Sequence, residues 1–298
     1  MDISEVLKTF EDKFEGTQVL RNEKMKNHTS FKIGGPVKAL VLPKSPEELL
    51  YLKDICKEND IRCEIIGNGT NILFSDKPED MIVICTFGCM DKIELAGENE
   101  IFAESGALLS KIAVFAMENG LESFEFAHGI PGTLGGAVFM NAGAYGGEMK
   151  DVIKTVNAAS GTYTNEDCDF SYRRSRFSAG GDIILGAVIK LKRGDPEVIK
   201  GKMMELSEKR RSSQPLNMPS AGSTFKRPKE GYAAAMIQEA GLKGYTVGGA
   251  QVSEKHAGFV VNTGDATFED VLNLMKGVQE KVEEKFGVKL EPEVRIIK

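Results

Sequence analysis

Residues 128–148 read HGIPGTLGGAVFMNAGAYGGE, and seven of these 21 positions are glycine. Glycine loses more backbone freedom on folding than any other residue, so this density implies that the main chain needs close approach or positive φ here. Both needs arise where backbone N–H groups converge on the anionic oxygens of a bound cofactor. Asn141 and Tyr145 add the polar and aromatic groups that a heterocycle would meet. A tight structural turn between core strands is the alternative. It suits an isolated glycine pair better than seven glycines broken by the apolar run Ala137, Val138, Phe139, Met140.

A second stretch lies upstream. The chain opens with Ile3, Val6, Leu7, Phe10 and Phe14 at helical spacing, then turns at Gly34-Gly35-Pro36 into an apolar strand, 37–42. Ser45 as N-cap, Pro46 at the first helical position and Glu48 closing a capping box start a helix to about Asn59. A short strand, 63–66, then runs into Gly67-Asn68-Gly69-Thr70-Asn71. Glycines, amides and a hydroxyl straight after a buried strand can present donors to a diphosphate. No helix-start signal follows, so this is not a Rossmann fingerprint, and a plain loop fits the five residues equally well.

Strands are expected at 81–87 and 101–104 and a helix at 107–119, stopped by Gly120. After the glycine-rich segment, strands at 152–159 and 183–191 flank a polar loop, 164–181. That loop carries Tyr172-Arg173-Arg174-Ser175-Arg176-Phe177, which reads either as a solvated basic loop or as a packed loop aiming one arginine inward. A helix from Pro196 to about Arg211 leads to a proline-punctuated connector, 212–219, the clearest boundary by composition. A short helix, 232–240, strands near 246–252 and 258–262, and a long helix, 268–286, follow. The long helix has Phe268, Val271, Leu272, Met275, Val278, Val282 and Phe286 on one stripe. In the final stretch, 290–297, period-two alternation sets Glu291, Glu293 and Arg295 on one face and Pro292, Val294 and Ile296 on the other, as a surface edge strand also would.

Composition narrows the partners. Lys plus Arg total 38 against 44 Asp plus Glu, a net charge of −6, so nucleic acid is not an expected partner. The acidic N-terminus and the lack of a long apolar run argue against a signal peptide or membrane span, so a cytoplasmic protein is expected. Five cysteines with no C-x-x-C pair, and three scattered histidines, indicate neither a disulfide framework nor a metal site.

Taken together, TSFKIGG (29–35), IIGNGTNIL (65–73), GIPGTLGGAVFMNAGAYGGE (129–148), YRRSRF (172–177), AGSTFKRP (221–228), IQEAGLKG (237–244), GGAQVSEKHAGFVVN (248–262) and LEPEVRII (290–297) run nearly the length of the chain. In this order they resemble the UDP-N-acetylenolpyruvoylglucosamine reductase family, in the branch lacking a tyrosine-bearing substrate loop. The resemblance implies an α+β protein: a two-subdomain FAD-binding module of the vanillyl-alcohol-oxidase (PCMH) type at residues 1–88 and 89–197, and a C-terminal α+β substrate-binding domain at 198–298. It implies FAD held by Gly67, Asn68, Gly69, Thr70, Asn71, Gly132, Thr133, Gly135, Gly136, Ala137, Asn141, Gly143 and Ala144. It also implies a monomer in which NADPH reduces the flavin, which reduces the enolpyruvyl ether of a UDP-sugar to UDP-N-acetylmuramate, a peptidoglycan precursor.

Matched to the family's motifs, Arg173, Ser223 and Glu293 are the expected catalytic residues. Hydride addition to the vinyl carbon leaves negative charge conjugated with the substrate carboxylate, which a guanidinium fork such as Arg173 can meet. Ser223 would donate a proton to the carbanionic carbon, and Glu293 would have to be protonated, or share a proton, to help there. From the residues alone Ser223 reads as a turn serine, and alternation does not separate Glu293 from Glu291. Tyr172, Lys226, Arg227 and His256 are the expected substrate contacts, with a structural role equally open to His256. An FAD-dependent oxidase of an alcohol or sugar, and a non-catalytic nucleotide-sugar-binding protein, are the rival readings.

Overall fold

The computed structural model describes residues 1–298. Contacts group the chain into two discontinuous units. One comprises Met1–Arg21, Ala39–Asn68 and Met81–Arg210; the other comprises Asn22–Lys38, Gly69–Asp80 and Arg211–Lys298.

The first unit holds two separate apolar clusters. In the first cluster, helices Ile3–Lys13 and Pro46–Glu58 place Val6, Leu7, Phe10, Leu49 and Leu52 against Ala39, Val41, Ile82 and Ile84 of the strands. The strands belong to a sheet ordered Gln18–Lys24, Pro36–Leu42, Glu79–Cys85, Cys63–Ile66, the last two parallel. Ser45 caps the second helix by accepting from the Glu48 N–H. Glu48 does not reach back as the capping-box pattern suggests. Its carboxylate accepts from the Lys44 N–H at 2.7 Å and the Thr17 hydroxyl at 2.8 Å, a tertiary contact that sequence spacing does not reveal.

The second cluster sits on an antiparallel sheet in the order Gly161–Thr164, Ile153–Ala158, Ile184–Lys190, Glu100–Glu104, Ile93–Gly97. Helix Leu109–Glu118 and the short helix Leu134–Phe139 pack on it through Ile112, Ala113, Ala116, Leu134, Ala137 and Val138. The 164–181 region is more ordered than its polarity suggests. It ends in helix Arg176–Gly180, anchored by buried Phe177, with Gly181 in the left-handed conformation as C-cap.

The second unit is built on the antiparallel order Ser220–Ser223, Phe259–Asn262, Ala250–Val252, Thr246–Val247. Helix Phe268–Phe286 buries Phe268, Val271, Leu274, Met275, Val278 and Val282. Leu274 therefore occupies the core place the stripe gave to Leu272, which is half-buried. Strand Arg295–Ile297 pairs in parallel with Ile72–Phe74. The expected alternation breaks there: Val294 and Ile297 are buried while Ile296 is exposed, because pairing with Ile72–Phe74 begins only at Arg295. No helix is long and apolar enough to cross a membrane.

Candidate functional site

Within the first unit the glycine-rich segment lies against residues 105–109. The Leu134 N–H donates to the Ala107 carbonyl and the Gly135 N–H to the Ser105 carbonyl, both at 2.8 Å. The Gly132 carbonyl accepts from the Leu109 N–H at 3.1 Å. A Cβ on Gly135 would stand 2.8 Å from Ser105 Cβ, so this glycine lets two chain segments touch. The N–H groups of 134 and 135 are thus engaged by protein. Ala137, expected at the cofactor, has its side chain in the core, 3% exposed.

Gly136 and Gly67 differ. Gly136 is exposed, and a Cβ there would meet only Thr133 Oγ1 at 3.8 Å. A Cβ on Gly67 would fall 2.1 Å from the same oxygen, and Asn68 Nδ2 donates to the Pro131 carbonyl at 2.7 Å, joining the two glycine-bearing loops. Thr133 is 1% exposed and Ser105 2%, yet neither hydroxyl has a hydrogen-bond partner. Buried polar atoms are seldom left so, and two of them beside an open glycine fit the polar edge or phosphoryl oxygens of a bound FAD. Ser105 escaped the sequence reading because nothing in its flanks marks it; only its orphaned hydroxyl does.

The same segment carries the arginine turn. Asn141 is fully buried at φ +45°, and its amide is held by protein: Nδ2 donates to Glu148 Oε2 and the Ser171 carbonyl, while Oδ1 accepts from the Lys150 N–H, each at 3.0 Å. Its side chain therefore positions the turn rather than facing a cofactor. Ser175 Oγ donates to the Phe139 carbonyl at 2.7 Å. Gly143–Ala144 pairs with Gly147–Glu148 around Tyr145 and Gly146, both at positive φ, which is the backbone of a tight hairpin.

Ser171 and Arg174 exchange backbone hydrogen bonds at 3.0 and 3.1 Å, leaving Tyr172 and Arg173 at the tip. Arg173 is half-buried, adopts φ +55° and reaches the Gly143 carbonyl with Nη2 at 3.5 Å. An L residue in the left-handed region is costly unless its surroundings require it. Arg174 is exposed, and Arg176 lies 4.0 Å over the Tyr163 ring and donates to the Asp167 carbonyl. Of the three arginines, Arg173 is the one turned in against the glycine-rich segment. A surface cavity of about 400 Å³ nearby is lined by Lys150, Asp151, Asn165, Glu166, Asp169 and Phe170, none of them an expected site residue.

In the second unit, backbone pairing gathers segments far apart in sequence. The Glu293 N–H donates to the Thr224 carbonyl and the Lys226 N–H to the Glu291 carbonyl, both at 2.8 Å, with Phe225 opposite Pro292. Asn71 Nδ2 donates to the Glu293 carbonyl at 3.1 Å, and the Arg295 N–H to the Asn71 carbonyl at 3.0 Å. Ser223, Glu293 and Asn71 are thus borne on three contiguous segments. Gly69, buried against His28, and Thr70 lead into them. Ser223 is exposed beside a bulge in its pairing with Phe259–Asn262, where Gly222 takes φ +75°. A bulge of this kind re-aims the side chain that follows it.

The two glutamates now separate. Glu291 is largely exposed and pairs with Lys226 at 3.4 Å, whereas Glu293 is half-buried beside Asn71 and Thr224. Arg227 stacks 4.6 Å over the Tyr232 ring. His256 Nδ1 accepts from the Gly258 N–H at 3.2 Å, its ring meets Phe259 edge-on at 5.0 Å, and burial lowers its pKa. The proton of the neutral ring is therefore on Nε2.

Comparison with known proteins returns one consistent answer. Residues 214–297 match the family described as UDP-N-acetylenolpyruvoylglucosamine reductase, C-terminal domain, and residues 37–164 match an FAD binding domain. UDP-N-acetylenolpyruvoylglucosamine reductase of Caldanaerobacter subterraneus subsp. tengcongensis is 51% identical over 281 residues, 93% of this chain and 92% of the relative. The Clostridium novyi protein of the same name is 45% identical over 302 residues, 100% and 97% of the two chains. The crystal structure of the Thermus caldophilus reductase superposes with a TM-score of 0.79 at 32% identity, covering 95% of this chain and 99% of that one. An alkyldihydroxyacetonephosphate synthase structure, at 18% identity and TM-score 0.51, shares the fold over 65% of this chain and 41% of its own.

Proposed function

Because the chain belongs to the UDP-N-acetylenolpyruvoylglucosamine reductase family, and is therefore an FAD-binding oxidoreductase, we propose that it carries out the family's reaction. In that reaction NADPH reduces FAD, and the enolpyruvyl ether of a UDP-sugar is reduced to the lactyl ether of UDP-N-acetylmuramate, a cytoplasmic step of peptidoglycan precursor synthesis. The protein acts as a monomer. Residues 1–88 and 89–197 serve as the two FAD-binding subdomains, a reading supported by the two apolar clusters of the first unit, and residues 198–298 as the substrate domain.

Bound FAD supplies the hydride. Gly67, Asn68, Thr133 and Gly136 hold it, with Ser105, and Gly69, Thr70 and Asn71 continue the same loop. Arg173 meets the charge that develops at the substrate carboxylate, because a guanidinium stays protonated and forks onto two oxygens. The Ser223 hydroxyl gives its proton to the carbanionic carbon, and Glu293 can assist there only by carrying or sharing a proton, since a bare carboxylate would repel the developing charge. Tyr172, Lys226 and Arg227 meet the UDP-sugar. The observation that supports this reading is that Ser223 and Glu293, 70 residues apart in sequence, sit on paired segments with Thr224 accepting from the Glu293 N–H.

The test is a pair of half-reactions followed by flavin absorbance. Anaerobic NADPH should bleach the yellow protein rapidly, and the enolpyruvyl UDP-sugar should then restore the colour. A reduced flavin that ignores the sugar but is reoxidised rapidly by oxygen would point to the oxidase reading instead.

A further inference from the structure

We propose that Ser30 is a positioning residue for Ser223, acting through the Ser220 carbonyl on the strand that carries the proton donor, a role that rests on the reductase reading above. Ser30 belongs to the stretch TSFKIGG, 29–35, which the site described so far leaves without a task. It lies in the second unit together with both of its partners. Its N–H donates to the Gly69 carbonyl at 3.1 Å, and its hydroxyl donates to the Ser220 carbonyl at 2.6 Å. One residue thus joins the end of the 67–71 loop to the first residue of strand Ser220–Ser223.

The turn that presents Ser30 is itself fixed. The buried Thr29 closes it by donating its hydroxyl to the Ile33 carbonyl at 3.1 Å. From outside, Asn262 Nδ2 donates to the Phe31 carbonyl at 3.1 Å. Asn262 is buried, and its Oδ1 is held in turn by the N–H groups of Gly264 and Ala266. It ends strand Phe259–Asn262, the partner of Ser220–Ser223, so the turn and Ser220 are referred to one sheet. A donor already held in place loses little freedom when it bonds.

Strand Ser220–Ser223 is the edge of that sheet and is paired by it on one side only. It has two further supports. The Ser220 carbonyl takes the Ser30 hydroxyl, and the adjoining Thr224 carbonyl takes the Glu293 N–H at 2.8 Å. Between these two points the pairing is irregular and Gly222 adopts φ +75°, with Ser223 exposed directly after it. A bulge sets the direction of a side chain, and glycine lets the chain turn there, so the aim of Ser223 holds only while both flanks are fixed. Ser30 fixes the leading flank from outside the pairing of the strand. Proton delivery from the Ser223 Oγ to a carbon centre depends on that aim, and a misplacement of about 1 Å costs roughly 100-fold in rate.

Ser30→Ala, Ser30→Thr and Ser30→Cys are made in the full-length, flavin-loaded protein, and Ser30→Ala also in a Ser223→Ala background. Flavin absorbance is followed anaerobically through reduction by NADPH and through reoxidation by saturating enolpyruvyl UDP-sugar. In Ser30→Ala reoxidation should slow about 10- to 100-fold while reduction by NADPH stays within about twofold of wild type, and Ser30→Thr, which keeps the hydroxyl, should recover most of the loss. In the Ser223→Ala background Ser30→Ala should slow reoxidation by no more than about twofold further, because the donor that it places is gone. The same further loss there as in wild type overturns the proposal, since a residue that only stabilises the fold would give it. Equal losses in both half-reactions, or wild-type reoxidation in a folded Ser30→Ala, overturn it too. If Ser30→Ala fails to fold, Ser30→Cys decides, being similar in size but a weak donor: slowed reoxidation with normal reduction supports the role, and wild-type reoxidation overturns it. A wild-type reduced flavin that ignores the sugar removes the reductase reading itself, whereas wild-type turnover beside an unaffected Ser30→Ala removes this inference alone.

Discussion

The arginine turn of the first unit and the Ser223 seam of the second are held in different ways. Asn141 and Ser175 pin the arginine turn through side-chain hydrogen bonds, and Arg173 accepts a positive φ at its tip. The Ser223 seam is held chiefly by main-chain pairing of 223–226 with 291–293 and of Arg295 with Asn71, and the Ser223 side chain takes no part in that pairing. A frame of the first kind fails when one side chain is removed. A frame of the second kind lets a side chain be changed without moving its neighbours.

The sharpest way to break this contrast is Ser223→Ala. The seam should stay folded with an unchanged melting temperature, flavin reduction by NADPH should persist, and substrate reduction should slow by about two to four orders of magnitude in stopped-flow traces. A lowered melting temperature or equal loss in both half-reactions would erase the distinction. Asn141→Ala, in contrast, should unfold more easily by roughly 1–3 kcal/mol, since it leaves the Lys150 N–H without a partner and removes one of the two bonds to the Ser171 carbonyl. Denaturant titration checks this, and substrate reduction should fall with it because Arg173 loses its anchor.

A finer comparison lies within the glycine-rich segment. Gly135→Ala should destabilise the chain by about 1–3 kcal/mol, because its Cβ would collide with Ser105. Gly136→Ala should leave thermal unfolding of the flavin-free protein untouched and weaken only FAD binding. If the flavin-free melts shift equally, both glycines serve packing alone.

The smallest effect concerns the histidines. Burial holds His128 and His256 below the ordinary value of 6.5, so the unfolded chain binds more protons near and below that pH. Their contribution to stability is therefore full above pH 6.5 and lost as pH falls through their folded values. Melting temperature followed downward from pH 7 should drop less steeply in His128→Gln than in wild type.

Much of the frame was legible in sequence because periodicity and capping are local. Helix Phe268–Phe286 begins and ends where its stripe does, and the strands Ile153–Ala158 and Ile184–Lys190 fall inside the expected ranges. Glu48 and the final strand departed from expectation where a tertiary partner outweighed the local pattern. Glycine density located the 128–148 segment, yet composition could not say that Gly135 faces Ser105 while Gly136 faces outward. Ser223 was visible through resemblance alone, since a bulge at Gly222 and a backbone partner 70 residues later leave no compositional trace. Ser105 was invisible for a simpler reason: what marks it is an absent partner, which only coordinates reveal.

The pairing of Ile72–Phe74 with Arg295–Ile297 also bears on how the protein is made. During vectorial synthesis, the ribosome delivers the first strand more than two hundred residues before its mate. Until then its apolar side chains and unpaired edge must be shielded by transient structure or by chaperones, so the nascent chain passes through a long interval of exposure to aggregation. Slowing translation over the C-terminal third should lengthen that interval and lower soluble yield, whereas supplying the missing strand in trans as a peptide should rescue a chain truncated before Arg295.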